Sequence, residues 1–193
     1  MEALDFVRAY NTMPVETCKS LIKYFKKVNY TYHEWQDDDG KSIRLKKNRK
    51  GEIKNYMMEE NQQNTLVPFI TKALLKYYDD IFSLYPYLYL YNNQEIVKKL
   101  SRFRVNRYDT NTNMALHIDN IHNIFDGKEK GVPILSIVGL LNDNFKGGEF
   151  YVSNKKIVLK QGDVLILPSN FIYPHEVKLI TQGSRYSFIT WGY

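Results

Sequence analysis

Cysteine is nearly absent from this sequence, and other signals are missing with it. The chain of 193 residues contains one cysteine, Cys18, so no disulfide can form within it and a reducing compartment is the simplest setting. No apolar run reaches the roughly 18 residues that a membrane-spanning helix needs. The N-terminal residues also lack the basic and then apolar pattern of a signal peptide. These absences predict a soluble, cytoplasmic protein without a membrane segment.

Acidic residues are too few to balance the basic ones. The formal net charge is +6 and the pI is about 9.1. Much of the excess lies between positions 41 and 54, where a single acidic residue, Glu52, accompanies these basic residues: Lys41, Arg44, Lys46, Lys47, Arg49, Lys50 and Lys54. No aromatic residue is interleaved with them, which disfavours nucleic acid as a partner. The simplest interpretation is a solvated loop, and a lid or a docking surface for an acidic partner are the alternatives.

Two amphipathic helices are predicted in the first half of the chain. Pro14 precedes apolar positions at three- and four-residue spacing from Cys18 to Val28, which predicts a helix over 15–28. The same spacing from Thr65 to Phe82 predicts a second helix that backs a sheet. The aromatic run that follows contains Pro86, which favours a loop or a strand edge over further helix.

The second half of the chain has the pattern of a β protein. Sixteen Tyr and ten Phe, together with ten Gly and six Pro, favour turn-rich β structure. Period-two alternation with frequent turn signals predicts strands near 101–108, 114–119, 132–141, 148–152, 155–159, 163–167, 174–180 and 184–191. Eight short strands after two helices indicate a mainly β (α+β) fold, a double-stranded β-helix or cupin-like relative of the jelly-roll barrel. We expect one domain over 1–193, with helical support over about 1–92 and the barrel over about 93–193.

A histidine and an aspartate lie two residues apart in an otherwise apolar segment. In an extended chain, His117 and Asp119 point to the same side and can reach one metal ion. With His175 they make two histidines and one carboxylate, the facial triad typical of non-haem Fe(II) oxygenases. The tripeptide alone is a weak signal, because a surface histidine beside a turn aspartate gives the same pattern. His33 and His122 lack such partners, and we expect them at the surface.

An arginine near the C-terminus would need an anion if the face of its strand is buried. Arg185, Ser187, Ile189 and Trp191 alternate onto one face of a strand. A guanidinium on a buried face needs an anion, and its planar fork matches a carboxylate; an ion pair with a structural Asp or Glu is the alternative. Gln182-Gly183 is a suitable two-residue turn, so we expect the strands that carry His175 and Arg185 to pair as a hairpin.

Five short motifs follow one another in the second half of the chain. In order, they are His117-x-Asp119, Gly147-Gly148-Glu149-Phe150, the segment from Gly162 to Pro168, Pro174-His175-Glu176-Val177 and Arg185-Tyr186-Ser187. This order resembles the 2-oxoglutarate/Fe(II)-dependent dioxygenases, and within them most of all the prolyl 4-hydroxylase group. The match covers about residues 100 to 192, and a weaker similarity to the first helix of that group lies over 14–22. The resemblance implies the same barrel fold.

The resemblance also implies roles for individual residues. His117, Asp119 and His175 would bind Fe(II), and Arg185 would bind the distal carboxylate of 2-oxoglutarate. The cosubstrate would be contacted further by the Tyr108 and Ser187 hydroxyls, with plain packing as the alternative for both. Substrate-pocket contacts would come from Asn120, otherwise a turn former, and Trp191, otherwise a core residue.

The implied activity is that of an oxidoreductase, a dioxygenase with ascorbate as its usual reductant. It would use O2 and 2-oxoglutarate to hydroxylate an unactivated C–H bond, releasing succinate and CO2, and we expect a prolyl residue of a peptide or protein as substrate. Alternatives are a free amino acid, another small metabolite or another protein side chain as substrate, and a non-enzymatic metal-binding barrel. The Arg-x-Asn pattern of the nucleic-acid demethylases is broken here by Ser187. The oligomeric state is left open.

Overall fold

The computed structural model describes residues 3–36, 42–43, 52–91, 96–119 and 131–193. Most of the basic stretch between 41 and 54 lies outside these ranges, as do Asn120 and His122. Within the described residues, no helix has the length and apolar character that crossing a membrane requires.

Both predicted helices are confirmed, with different ends. Helix α1 spans Val15–Phe25 and helix α2 spans Glu60–Leu84. Helix α2 begins five residues before the predicted start, because the Gln62 side chain accepts a hydrogen bond of 2.9 Å from the backbone N–H of Glu59 at the helix entry. This contact is half of a capping box, which stabilises helix starts. The following run, Pro86–Tyr91, is a 3-10 helix, so the expectation of a loop or strand edge there is wrong.

Fifteen strands occur among the described residues, and most of the larger ones in the second half fall where alternation predicts them. In chain order they are β1 (Arg8–Asn11), β2 (Thr31–Tyr32), β3 (Trp35–Gln36), β4 (Ser42–Ile43), β5 (Lys54–Met57), β6 (Arg104–Tyr108), β7 (Met114–His117), β8 (Leu135–Leu140), β9 (Lys146–Gly147), β10 (Phe150–Val152), β11 (Lys155–Ile157), β12 (Asp163–Pro168), β13 (His175–Val177), β14 (Ile180–Gln182) and β15 (Arg185–Gly192). Strands β1 to β5 have no counterpart in the sequence-based prediction.

Two antiparallel sheets build the body of the molecule. The larger has seven strands in the order β1-β12-β8-β15-β6-β5-β2, and the smaller has four in the order β11-β10-β13-β7. Apart from β10 and β11, which form a hairpin, neighbours in these sheets are distant in sequence, because the chain crosses from one sheet to the other. The mainly β fold expected from the sequence is confirmed.

The expected hairpin between the His175 and Arg185 strands is wrong. Strand β13, with His175, pairs with β7 and β10, whereas β15, with Arg185, pairs with β6 and β8 in the other sheet. The predicted strand 174–180 is in fact divided into β13 and β14, and β14 pairs with β9. Gly183 does make a turn, with φ +83°, but the turn carries the chain between sheets.

Apolar side chains form two clusters, one on each face of the seven-stranded sheet. The outer cluster joins Phe188 of β15 to helix residues such as Phe25 and Leu66. The inner cluster joins Ile189 of the same strand to residues of the small sheet such as Val177. Successive residues of β15 therefore pack on opposite faces, as strand geometry requires, and the inner face contains the candidate site.

Candidate active site

His117 and His175 lie opposite each other on neighbouring strands of the small sheet. They are register partners of β7 and β13, and their ring centroids are 4.4 Å apart. In each ring, Nδ1 donates a hydrogen bond to the backbone carbonyl two residues earlier: to Ala115 at 2.8 Å for His117 and to Tyr173 at 3.1 Å for His175. Because a carbonyl can only accept, these bonds leave the Nε2 lone pair of both histidines for a metal ion.

Asp119 completes the cluster. Strand β7 ends at His117 rather than at 119, yet the Asp119 carboxylate still lies between the two imidazoles, with Oδ1 3.5 Å from His117 Nε2 and Oδ2 3.5 Å from His175 Nε2. One ligand atom from each of the three residues lies within 4.8 Å of the others. Oδ2 is buried and accepts no hydrogen bond from the described residues. A buried carboxylate oxygen without a donor is a suitable metal ligand.

The electrostatics of the cluster favour the protonation states that bind a cation. Burial lowers the pKa of His175 below its ordinary value, although the Asp119 charge opposes this. Burial raises the pKa of Asp119, but the hydrogen bond with His117 and the charges of His175 and His117 outweigh it, so the net direction is downward. A neutral imidazole and an ionised carboxylate are the forms that coordinate metal ions.

Arg185 lies at the start of β15 with only 1% of its surface exposed. Its Nη1 donates to Ser187 Oγ at 2.8 Å, and its guanidinium lies 5.0 Å from the ring centroid of Tyr108, its register partner on β6. Burial lowers its pKa, and among the described residues no carboxylate pairs with it. Arg185, Tyr108 and Ser187 are therefore brought together, as the sequence predicted. The positive charge of Arg185 has no counter-ion among the described residues.

The triad and Arg185 belong to the same interior. Phe150 stacks on the His175 ring with centroids 5.6 Å apart, and both Phe150 and Tyr108 are members of the inner cluster. Burial raises the pKa of Tyr108, Arg185 and Arg104 oppose this, and the Asp119 charge raises it further. The inner cluster is thus in contact with the triad through Phe150 and with Arg185 through Tyr108.

Trp191 and Arg104 lie farther along the same face. Trp191 is partly buried against the inner cluster, and its Nε1 has no hydrogen-bond partner among the described residues. The Arg104 guanidinium lies 5.4 Å from the Trp191 ring centroid. Arg104 was missed by the sequence reasoning, although alternation along 104–108 places it on the same face as Tyr108.

His33, which was expected at the surface, has intermediate exposure. It is partly buried, and its Nδ1 lies 3.0 Å from Asn55 Nδ2. Burial lowers its pKa to about 3, and the charges of Arg104 and His117 act in the same direction. His33 thus lines one cavity together with Arg104 and Asn55, although no sequence spacing links it to the other histidines.

Comparison with known proteins identifies the class. The model of the 2OG-Fe(II) oxygenase superfamily matches residues 103–193, so this segment of the chain belongs to that superfamily. A PKHD-type hydroxylase of Acinetobacter baumannii is 30% identical over 93 residues, which are 45% of this chain and 40% of the relative. A PKHD-type hydroxylase of Gluconobacter oxydans is 30% identical over 94 residues, with the same shares of both chains. The chain thus spans well under half the length of these curated relatives.

Solved structures of prolyl hydroxylases have a similar fold. A prolyl hydroxylase of Trichoplax adhaerens, in complex with a peptide fragment of hypoxia-inducible factor, gives a TM-score of 0.64 at 18% identity and covers 98% of this chain and 84% of its own. The viral collagen prolyl hydroxylase of Paramecium Bursaria Chlorella virus-1 gives 0.62 at 13% identity and covers 96% and 94%. At these identities the likeness concerns the fold, and it confirms the predicted barrel architecture.

The residues present fit the two groups in the superfamily's name. Two imidazoles and a carboxylate are suitable ligands for Fe(II) and leave coordination positions open. The buried Arg185 fork, without a described anion, suits a carboxylate end of 2-oxoglutarate. The chain can therefore hold the metal on one sheet and the cosubstrate's distal end on the other.

Proposed function

We propose that this chain is an Fe(II)- and 2-oxoglutarate-dependent dioxygenase that hydroxylates a prolyl residue of a peptide or protein. One observation carries the proposal: a buried arginine, which has no ion-pair partner among the described residues, adjoins the same inner cluster as a triad of two histidines and one carboxylate. Such an arrangement would suit a ligand with two acidic ends, and 2-oxoglutarate has an oxo acid at one end and a carboxylate at the other. The superfamily match over 103–193 supports the reaction class.

Each part of the site has a defined task in this proposal. His117, Asp119 and His175 would hold the iron, Arg185 and Ser187 would bind the distal carboxylate, and Tyr108 supports the guanidinium through its ring face. The inner cluster excludes water from the space between them. When bound, iron and 2-oxoglutarate supply the oxidation, in which one atom of O2 enters the hydroxylated product and the other enters succinate, with release of CO2.

The prolyl substrate is supported by the structural neighbours. Three of them are described as prolyl hydroxylases, one in complex with a peptide, one viral and one, from Pseudomonas putida, a prolyl-4-hydroxylase. Trp191 lies on the inner face, where it packs against the inner cluster. From this position its ring could pack against a proline. Asn120 is proposed as a second pocket residue from the sequence alone.

A peptide assay tests this proposal. Purified protein is incubated with Fe(II), ascorbate, 2-oxoglutarate and a panel of proline-containing peptides, each matched by a peptide with alanine in place of proline. We expect succinate formation coupled to the gain of one oxygen atom on proline, located by tandem mass spectrometry, and no coupling in His175→Ala. Coupled oxidation of another residue or of a small molecule would contradict the prolyl assignment, and absence of any 2-oxoglutarate turnover would contradict the oxygenase.

A further inference from the structure

The inner face of the seven-stranded sheet continues from β6 onto β5, where it forms a second, polar surface. Arg104 is the register partner of Ile189 on β15 and of Met57 on β5, and Asn106 is the partner of Asn55. Directly paired residues point to the same side of a sheet. Arg104, Asn55 and Met57 therefore extend the face that carries Tyr108 and Arg185 deeper in the barrel.

Arg104 has the chemistry of a binding residue with unused donors. Its Nε donates to Asn106 Oδ1 at 3.1 Å, its guanidinium lies over the Trp191 ring, and no carboxylate among the described residues forms an ion pair with it. By contrast Arg107, on the opposite face of the same strand, donates to Asp109 at 2.9 Å. Burial lowers the pKa of Arg104, while Tyr108 and Asp119 raise it. Arg107, which points outward, thus has a carboxylate partner. Arg104, which points inward, has none among the described residues.

A cavity of about 590 Å³ opens at this surface, lined by Arg104, Met57, Asn55 and residues 31–34. Its size is typical of small-ligand sites. It lies on the triad's side of the sheet. Arg104 lies over the Trp191 ring, which packs against the inner cluster, and Phe150 of that cluster stacks on His175. Glu34, the cavity's one carboxylate among the described residues, is exposed and so lies at the outer edge.

Asn55 supplies an independent sign of a ligand. Its Oδ1 is buried and has no hydrogen-bond partner among the described residues, while its Nδ2 faces the Nδ1 of His33. Whichever way the amide is turned, one polar atom is left for another molecule. A buried polar atom without a partner is costly unless a ligand or water satisfies it.

We propose that this cavity, the Arg104 subsite (Arg104, Asn55, Met57, His33), binds the substrate through a carboxylate on Arg104 and an N–H group on Asn55. The proposal rests on the dioxygenase activity proposed above, whichever substrate is oxidised, and narrows the substrate class to carboxylate-bearing molecules. The carboxylate comes either from an acidic side chain beside the target residue in a peptide or from a free amino acid. Both present a carboxylate and an N–H donor a few bonds apart, which is the pair of groups that the subsite complements.

Equilibrium binding tests the subsite without relying on turnover. The probes are a capped peptide with aspartate beside proline, the same peptide with asparagine, free L-proline and L-prolinamide, each titrated calorimetrically into the protein. A charge-assisted, bidentate hydrogen bond is worth about tenfold in affinity or more, so we expect the carboxylate member of one pair to bind at least about tenfold tighter. The pair that shows the preference identifies the source of the carboxylate.

Three variants separate binding from folding. Arg104→Gln should abolish the preference, Arg104→Lys should restore part of it, and Arg104→Glu should favour a lysine-flanked peptide. Arg102→Gln, at an exposed arginine whose Nε donates to the Met58 carbonyl, is the matched control and should keep the preference. Thermal unfolding of each variant checks that the fold is intact.

The outcomes distinguish this proposal from the broader one. Equal binding of both members of each pair, or no binding of any probe, would overturn the Arg104 subsite. If the same protein still turns over 2-oxoglutarate, the oxygenase function stands while the subsite fails. In the Arg104 variants we also expect the 2-oxoglutarate KM to stay near the wild-type value, since Arg185 is unchanged; a large rise would assign Arg104 to the cosubstrate instead.

Discussion

Arg185 shows how a single residue can reveal its ligand. Taking a guanidinium out of water is expensive unless hydrogen bonds and an opposite charge compensate for it. Arg185 has one described hydrogen bond, to Ser187, and one aromatic face, Tyr108. This partial compensation leaves donors for an anion that is supplied from outside the chain.

Removing the guanidinium should therefore weaken cosubstrate binding. We expect Arg185→Gln to raise the 2-oxoglutarate KM by about tenfold to a hundredfold, the range for hydrogen bonds to charged groups. Arg185→Lys keeps the charge without the fork and should give a smaller rise. Succinate formation at varied 2-oxoglutarate measures this. Ser187→Ala, which removes one neutral contact, should change the KM less, and an unchanged KM in Arg185→Gln would contradict the assignment.

The orientation of the histidines belongs to the residue scale as well. Their Nδ1 atoms are held by backbone carbonyls, so side-chain changes nearby cannot easily turn the rings. The ligand set therefore depends most on Asp119, whose carboxylate faces both Nε2 atoms. We expect Asp119→Asn to lower the affinity for Fe(II) at least tenfold, measured anaerobically by metal titration; wild-type affinity in this variant would contradict the triad.

The triad and Arg185 were predicted from the sequence, whereas Arg104 and His33 were missed. The first group lies in short motifs whose residue types are unusual for buried strands. The side chain of Arg104 could point to either face of its strand. Pairing with β15 determines that it points inward. His33 reaches the site through β2 and β5, which are short and weakly patterned.

At the scale of elements, strand β15 divides its residues between two functions. Arg185, Ser187 and Ile189 face the site, while Tyr186 and Phe188 face the helices. Phe188 is fully buried, stacks on Phe103 with centroids 6.3 Å apart, and covers Gly139, where an added Cβ would lie 1.9 Å from its ring. The outer packing thus fixes the strand that carries Arg185 and Ser187.

Truncating this ring should destabilise the fold. We expect Phe188→Ala to lower the free energy of unfolding by about 3–5 kcal/mol, the usual cost of a buried phenylalanine, measured by urea denaturation. Phe171→Ala is the matched control, because Phe171 is 74% exposed, and it should change stability by less than about 0.5 kcal/mol. Equal effects of the two substitutions would contradict this packing.

Pairing between elements was the least predictable feature. Alternation located most strands of the second half, and helical periodicity located α1 and α2, because both patterns are local. The hairpin predicted at Gln182-Gly183 was wrong, because a turn signal states that the chain reverses and not which strand it then joins. In a two-sheet barrel that choice is made by the two apolar clusters, which no local window contains.

At the scale of the whole molecule, Asp109 connects distant parts of the chain. Its carboxylate accepts hydrogen bonds from Lys54 at 2.9 Å, Arg107 at 2.9 Å and Ser184 at 2.8 Å, which belong to β5, β6 and the entry to β15. Burial raises the pKa of Asp109, but the bonds from Lys54, Ser184 and Arg107 outweigh it, so the pKa is lowered. The contact holds the outer edge of the strands that carry the site.

This network predicts a pH-dependent contribution to stability. A carboxyl with a lowered pKa in the folded state stabilises it above its unfolded pKa of about 4, and loses that contribution as the pH falls through its folded pKa. Asp109→Asn should therefore cost about 1–2 kcal/mol at neutral pH, and the deficit should shrink below about pH 4. Urea denaturation across pH measures it, with the exposed Glu16→Gln as control; a deficit independent of pH would contradict the role of the charge.

The most direct test of the central claim is made without oxygen. Fe(II) and then 2-oxoglutarate are added to the purified protein, and the visible charge-transfer band of an iron-bound oxo acid is recorded for wild type, His175→Ala and Arg185→Ala. We predict a band in wild type, its loss in His175→Ala, and a much higher 2-oxoglutarate requirement in Arg185→Ala. Folded, iron-loaded wild type without a band would contradict the account, because the triad and Arg185 would then not hold one cosubstrate between them.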